Sequence, residues 1–171
     1  MNLVAVDPGS EQSASVWISP LPPHRPIEFS KQSNSALLEE LKSAGAHGRP
    51  GGWDHLAIEM IASYGMPVGA EVFDTCVWIG RFIQAWGGPY TLVYRREVKM
   101  FLCGNNTAKD GNIRQALIDR YGGKAKAIGK KTGKTDGVKN APGPLYGISD
   151  DVWSALAVAV TWQGTHGKLA A

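Results

Sequence analysis

Two short apolar runs in the first third of the chain each end in an acidic residue. Residues 3–6 (Leu-Val-Ala-Val) stop at Asp7, which opens an Asp-Pro-Gly turn. Residues 56–58 (Leu-Ala-Ile) lead in the same way to Glu59. Short apolar runs bounded by turn residues are typical of buried strands. Each run therefore predicts a strand that delivers a carboxylate to its end.

Elsewhere, apolar residues recur every three to four positions, which predicts helices. The longest covers residues 68–86 and ends at Gly87-Gly88-Pro89. Ser35 is predicted as the N-cap of a second helix, and Ser149 or Asp150 as the cap of the last. The remaining predicted elements are strands over 14–18, 27–30 and 91–94 and helices over 35–44, 97–102, 109–121 and 150–163. Because strands come first and then alternate with helices, a single α/β domain with a mixed sheet is expected over residues 1–171.

Residues 122–147 contain seven glycines, two prolines and six lysines, which predicts a mobile basic loop. Residues 129–135 resemble a phosphate-binding P-loop, but Ile128 occupies the position that needs the first glycine, and no strand precedes it. No nucleotide cofactor is expected there. The lysines either clamp a phosphate backbone or simply form a solvated loop.

The net charge of +3 hides an uneven distribution. Residues 95–139 hold 12 Lys and Arg against 4 Asp and Glu, a net of +8, and the rest of the chain carries −5. A segregated basic segment of this kind favours a polyanionic partner such as nucleic acid.

Composition excludes several classes of protein. No apolar run approaches the ~20 residues that cross a bilayer, and the N-terminus lacks the basic start of a signal peptide. Cys76 and Cys103 lie far apart without a CxxC motif, and the four histidines are scattered. A cytoplasmic protein without disulfides or a membrane partner is expected.

The acids at element ends predict a chemistry. Asp7 and Glu59 end strands, and Asp150-Asp151 open the last helix; carboxylates brought together there need cations between them. Oxygen ligands in that number suit Mg²⁺ or Mn²⁺. Two such ions about 4 Å apart can activate a water and stabilise a leaving 3′-oxygen. Taken singly, each acid is more often an ordinary turn or capping residue.

The same segments resemble the RuvC-like Holliday-junction resolvases of the RNase H-like nuclease superfamily. Residues 3–9 (LVAVDPG) are similar to the opening of that family, and residues 57–59 (AIE) to its second acidic strand. Residues 94–99, followed by Leu102, Gly104, Ala108, Lys109 and Ile113, are similar to its basic central segment. Residues 151–159 resemble its last helix. The short form of this chain resembles the versions carried by bacteriophages, so the cytoplasm would be that of the host.

The resemblance implies an RNase H-like fold with a mixed five-stranded sheet flanked by helices. It also implies a homodimer that resolves four-way DNA junctions by paired, Mg²⁺-dependent nicking, with Mn²⁺ able to substitute. Asp7, Glu59 and Asp151 would bind the metal. The family usually carries a further acid one turn later, where this chain has Ser154; Asp150 or a water would then replace that carboxylate.

Residues expected to contact DNA are mostly basic. Lys99 and Lys109 would approach the scissile or neighbouring phosphates. A base-stacking wedge after Glu59 is implied, with Met60, Ile61 and Tyr64 as candidates; stacking favours Tyr64. The predicted DNA-binding set is Tyr64, Arg95, Arg96, Lys99, Lys109, Lys124, Lys126, Lys130, Lys131 and Lys134.

Part of the helix over residues 68–86, around Trp78, Arg81 and Phe82, is expected to meet the partner subunit. Two alternatives to a junction resolvase stay open at this point. One is a related nuclease that acts on RNA–DNA hybrids, flaps or other branched DNA, and the other is a DNA-binding relative that has lost catalysis. An actin-like or sugar-kinase ATPase needs two such domains, for which 171 residues are too few.

Overall fold

The computed structural model describes residues 2–19, 24–45, 52–63, 65, 67–129 and 142–166. Five strands form one sheet in the order β3-β2-β1-β4-β5. The strands are β1 (Leu3–Asp7), β2 (Gln12–Ile18), β3 (Pro26–Ser33), β4 (His55–Met60) and β5 (Tyr90–Tyr94). β1, β2 and β3 pair antiparallel, whereas β1, β4 and β5 run parallel. The predicted mixed five-stranded α/β fold is therefore confirmed, with β3 at an edge as expected.

Helices cover both faces of the sheet. α6, supported by α3 and α4, packs on one face, and α1 and α2 pack on the other. The helices are α1 (Asn34–Ala44), α2 (Ala70–Trp86), α3 (Arg95–Cys103), α4 (Asp110–Arg120), α5 (Lys124–Ala127) and α6 (Val152–His166). None of the helices in these ranges is long and apolar enough to span a bilayer.

The first four residues of the central strand β1, residues 3–6, are apolar and buried on both faces of the sheet. Leu3 and Ala5 pack with α6, whereas Val4 and Val6 pack with α1 and α2. Successive side chains of a strand point to opposite faces, so Asp7 lies on the α6 face. On β4 the same alternation places Ala57 on the α6 face, and Glu59 follows two residues later. The two acids therefore belong to the same side of the sheet.

Two helix starts differ from the prediction. The N-cap of α1 is Ser33, whose hydroxyl accepts a hydrogen bond from the Ala36 amide at 3.3 Å, and not Ser35, which lies inside the helix. α6 begins at Val152, because Asp150 has a backbone φ of 45° that a helix cannot contain. Asp150 and Asp151 thus lie in the turn before α6.

The flanks of the predicted mobile basic loop at residues 122–147 are packed. Residues 124–127 form α5, and Ala127 and Leu145 are fully buried in the core on the α6 side. Gly129 and Pro142 form an isolated β-bridge. Apolar residues hidden among lysines and glycines thus anchor both ends; residues 130–141 lie outside the described part of the chain.

Candidate active site

Asp7 and Glu59 meet at the carboxyl ends of the adjacent parallel strands β1 and β4. Val6 pairs with Ile58 in the register of these strands, so the next residue on each is one of the two acids. Their carboxyl groups hydrogen-bond to each other. The sequence prediction that these two acids converge is what the structure shows.

Burial makes this pair electrostatically costly. Burial, followed by the negative charges of Glu59 and Asp151, raises the pKa of Asp7 from 3.8 to about 8. Burial also raises the pKa of Glu59, and the positive charge of Arg95 opposes that rise. Without a cation, the pair is therefore best accommodated with a proton held on Asp7 and hydrogen-bonded to Glu59.

The turn after Asp7 is fixed by a small polar network. The Ser13 hydroxyl donates to the Asn34 side-chain oxygen at 2.6 Å, and the side-chain nitrogen of Asn34 donates to the Gly9 carbonyl at 2.9 Å. The Gly9 amide in turn donates to the Ser13 hydroxyl at 3.2 Å. A Cβ on Gly9 would lie 2.4 Å from the Gln12 carbonyl oxygen, so only glycine fits this turn. Ser13 and Asn34 thus position Asp7, a role that sequence reasoning missed.

Arg95 is the cation nearest the acid pair. α3 begins directly after β5, where the Tyr94 amide donates to the Glu97 carboxylate at 2.7 Å, and this start places Arg95 over the site. Its guanidinium lies 3.6 Å from Glu59, pairs with Asp110, and donates to the Ser154 hydroxyl at 3.4 Å. Arg95 therefore serves as the counter-charge of Glu59, whereas sequence reasoning assigned it to DNA and overlooked Asp110.

Asp151 stands apart from the other two acids. Its carboxylate is 55% exposed and forms an ion pair of 2.7 Å with Lys31 on the edge strand β3. It is close enough for its charge to raise the pKa of Asp7. Among the described residues, however, no group of three His, Cys, Asp or Glu side chains is arranged to hold a metal ion. The structure thus brings two of the predicted ligands together and shows the third engaged by a lysine that sequence reasoning did not single out.

Asp150 is also exposed and lies near Lys31, the pKa of which it helps to raise after the larger effect of Asp151. A cavity of about 210 Å³ opens beside the acid pair and is bounded by Pro8, Met60, Ile61, Ala62 and Arg95 as well as by the acids themselves. Met60 and Ile61, two candidates for the apolar wedge, therefore line the site; Tyr64, the third, lies outside the described residues.

The described members of the predicted DNA-binding set lie in more than one region of the fold. Lys99 is half-buried and close enough to lower the pKa of Glu59, and Arg96 and Lys109 are exposed on α3 and before α4. Lys124 and Lys126 belong to α5, and Lys126 lines a different cavity, beside the end of α6. Lys130, Lys131 and Lys134 lie outside the described residues.

The fold is similar to that of two solved structures. The structure of RuvC from Thermus thermophilus matches with a TM-score of 0.65 over 98% of this chain and 97% of that chain, at 16% sequence identity. T. thermophilus RuvC in complex with a Holliday junction substrate matches with a TM-score of 0.62 over 99% and 96% of the two chains, at 14% identity. No protein-family model and no curated protein matches the sequence. At these sequence identities, the structural matches establish a shared fold alone.

Proposed function

We propose that this chain is a metal-dependent endonuclease that nicks branched DNA and resolves four-way junctions. The observation that carries the proposal is the buried Asp7–Glu59 pair at adjacent strand ends, with Asp151 within electrostatic reach. A fold similar to RuvC, including the form bound to a Holliday junction, supports the choice of substrate.

The acid pair fits a hard divalent cation. The two carboxyl groups are in contact and largely removed from water, so each has a raised pKa. A bound cation would stabilise their ionised forms. Asp7 and Glu59 would hold Mg²⁺, or Mn²⁺ in its place. Asp151 would become a third ligand once it leaves Lys31, and Asp150 would be an alternative ligand. The ion would supply Lewis-acid activation of a water and charge stabilisation at the leaving oxygen.

The chain's own residues orient the phosphodiester. Arg95 favours the ionised form of Glu59 and holds it in place through the ion pair at 3.6 Å. Lys99 adds positive charge near Glu59, where a phosphate would enter. Arg96 and Lys109 are exposed and free to hold the flanking backbone. In-line displacement at this site would leave a 5′-phosphate and a 3′-hydroxyl.

A junction needs two opposed nicks, so the proposal includes a homodimer with two sites related by symmetry. The part of α2 that would meet the partner must be exposed. Arg81 is exposed and lies over the Trp78 ring at 3.9 Å, whereas Phe82 is fully buried. Phe73 and Val77, one helical turn apart, are instead 62% and 60% exposed and form the apolar surface that a second copy would cover.

A cleavage assay tests the function. A synthetic four-way junction with one labelled strand, incubated with Mg²⁺, should be nicked symmetrically, and faster than a linear duplex or an RNA–DNA hybrid of the same sequence. Glu59→Gln should abolish nicking while leaving junction binding intact, and Asp119→Asn, which alters an exposed acid on α4, should not affect it. Equal cleavage of all substrates would replace junction selectivity with a general nuclease activity, and Mg²⁺-independent binding without cleavage would identify an inactive relative.

A further inference from the structure

A second cavity, of about 460 Å³, lies away from the acid pair and is strongly basic. Its lining includes His24, Arg25, Arg120, Lys126 and Gln163. Neither Asp nor Glu is among the described residues that line it. A concave site lined by several cations produces a positive potential that attracts anions.

The cavity is separate from the candidate active site. α6 runs between the two: Asp151 precedes its first residue, and Gln163 is in its last turn. Twelve helical residues at 1.5 Å each place these positions roughly 18 Å apart. His24 and Arg25 follow the end of β2 at Ile18, which pairs with Leu3 at the opposite end of β1 from Asp7.

No carboxylate in the described part of the chain forms an ion pair with the cations of this cavity. Within the described ranges, the ion pairs involve only Lys31, Lys42 and Arg95 as the basic partners. Arg25, Arg120 and Lys126 are thus unneutralised by any described carboxylate. Arg95 differs in this respect, because its guanidinium forms ion pairs with two carboxylates, those of Glu59 and Asp110.

Arg120 is held in place by packing. Its guanidinium lies over the Phe101 ring, 5.4 Å from the ring centre. Phe101 in turn sits directly on Gly164, where an added Cβ would come within 2.0 Å of the ring. A planar guanidinium fixed in this way loses little further freedom when it binds an anion.

The part of the lining formed by Tyr121 and His24 is held by hydrogen bonds. The Tyr121 hydroxyl donates to the His24 carbonyl at 2.9 Å, and burial raises the Tyr121 pKa to about 12, which keeps that proton in place. His24 Nδ1 lies 3.3 Å from the Ser19 carbonyl oxygen, which leaves Nε2 available to a ligand. The backbone of His24 has a φ of 44°, a strained value for a non-glycine residue.

We propose that this cavity binds a compact phosphate monoester. Its volume is within the ~300–1,000 Å³ range of small-molecule sites, whereas a DNA duplex is too wide to enter and could only touch the rim. Arginine and lysine donors fixed around a concave space match a phosphate dianion. The ligand would be either a free mononucleotide or the terminal 5′-phosphate of a DNA strand. This proposal does not depend on the nuclease function.

Calorimetric titration in the presence of EDTA tests the proposal without the metal site. The probes are thymidine 5′-monophosphate, thymidine, and a single-stranded oligonucleotide with and without a 5′-phosphate. The variants are Arg120→Gln and Lys126→Gln. Arg114→Gln is the matched control, because Arg114 is also on α4 and also lies over an aromatic ring, that of Trp153, but does not line the cavity.

At least one phosphorylated probe should bind about ten-fold more tightly than its unphosphorylated counterpart. Arg120→Gln and Lys126→Gln should each remove most of this preference, and Arg114→Gln and Asp7→Asn should retain it. Binding of the monophosphate identifies a free ligand, and binding of the oligonucleotide alone identifies a strand end. The proposal is overturned if neither phosphate improves binding, or if the variants weaken the binding of phosphorylated and unphosphorylated probes equally. Matching unfolding curves for the variants exclude loss of the fold.

Discussion

At the scale of single residues, the position of Asp7 lowers the stability of the metal-free protein. It is largely withdrawn from water and faces Glu59 and Asp151, so ionising it in the folded chain is unfavourable. In the unfolded chain it would ionise near its ordinary pKa of 3.8. The difference between these two states gives stability a defined dependence on pH.

The folded-state pKa of about 8 lies above the ordinary value, so between these pH values the folded protein binds more protons than the unfolded protein. The free energy of unfolding of the metal-free protein should therefore fall as the pH rises from about 4 to about 8. Asp7→Asn should reduce this slope, leaving the part that is due to Glu59, and be more stable than the wild type at pH 8 by about 1–3 kcal/mol, but not at pH 4. Urea unfolding in EDTA at both pH values measures it. Asp119→Asn should keep the wild-type slope; an unchanged slope in Asp7→Asn would contradict the prediction.

The ion pair between Lys31 and Asp151 gives a second prediction at this scale. Both side chains are substantially exposed, at 39% and 55%, so the pair adds little to the stability of the fold. If Asp151 must leave Lys31 to bind metal, Lys31→Gln should lower the Mg²⁺ concentration for half-maximal cleavage by up to about five-fold. Cleavage rates across a Mg²⁺ titration measure this shift.

Lys42→Gln is the control, because Lys42 pairs with Glu39 on α1 and should leave the Mg²⁺ requirement unchanged. A loss of cleavage at every Mg²⁺ concentration in Lys31→Gln would instead assign Lys31 to the DNA.

At the scale of elements, the start of α1 holds the turn that follows β1. Asn34 is the first residue of α1, is buried, and bridges Ser13 and the Gly9 carbonyl. The preceding residue, Ser33, only caps the helix through the Ala36 amide. Two adjacent residues therefore have separable roles.

Asn34→Ala should destabilise the protein by about 1–3 kcal/mol, because it leaves buried polar groups of the turn without partners. It should also slow cleavage, because the turn no longer fixes Asp7. Ser33→Ala should cost about 1 kcal/mol of stability and leave the cleavage rate of folded protein unchanged. Urea unfolding and single-turnover cleavage separate the two effects; equal loss of activity in both variants would mean that the turn network does not position Asp7.

The order and type of elements could be predicted from the sequence because each is encoded locally. The apolar run of β1 and the helical spacing of α2 are contained in a few neighbouring residues. The contacts that complete the site are not. Asn34 reaches Gly9 across 25 positions, and Arg95 reaches Ser154 across 59. The start of α6 was misplaced because the positive φ of Asp150 is a property of the folded turn and leaves no periodic signal.

At the scale of the whole molecule, the basic segment at residues 95–139 divides between two regions. Arg95 and Lys99 belong to the acid site, whereas Arg120 and Lys126 belong to the second cavity. The charge count predicted a polyanionic partner held on a single basic surface. A linear count cannot show that α4 carries the chain away from the acids.

The exposed face of α2 gives the prediction for assembly. Phe73→Glu combined with Val77→Glu should convert a dimer to a monomer, since a charged pair cannot be buried in an apolar contact without a partner. Sedimentation velocity measures the change. Gln115→Glu, which adds the same kind of charge on exposed α4, should remain dimeric. A wild-type protein that is monomeric at high concentration would rule out this interface.

The burial of α6 on nearly every side has a consequence for divergence. Ten of its residues, from Val152 to Trp162, are buried, and among them Ala155, Ala157 and Ala159 leave no room for a larger side chain. A helix without a solvent-facing side accepts few neutral substitutions. In a library of random variants selected only for folding, α6 should therefore accept the fewest changes, while the exposed faces of α2 and α4 drift freely. Related proteins would therefore diverge first in the residues of their exposed helix faces, and last in the residues of α6.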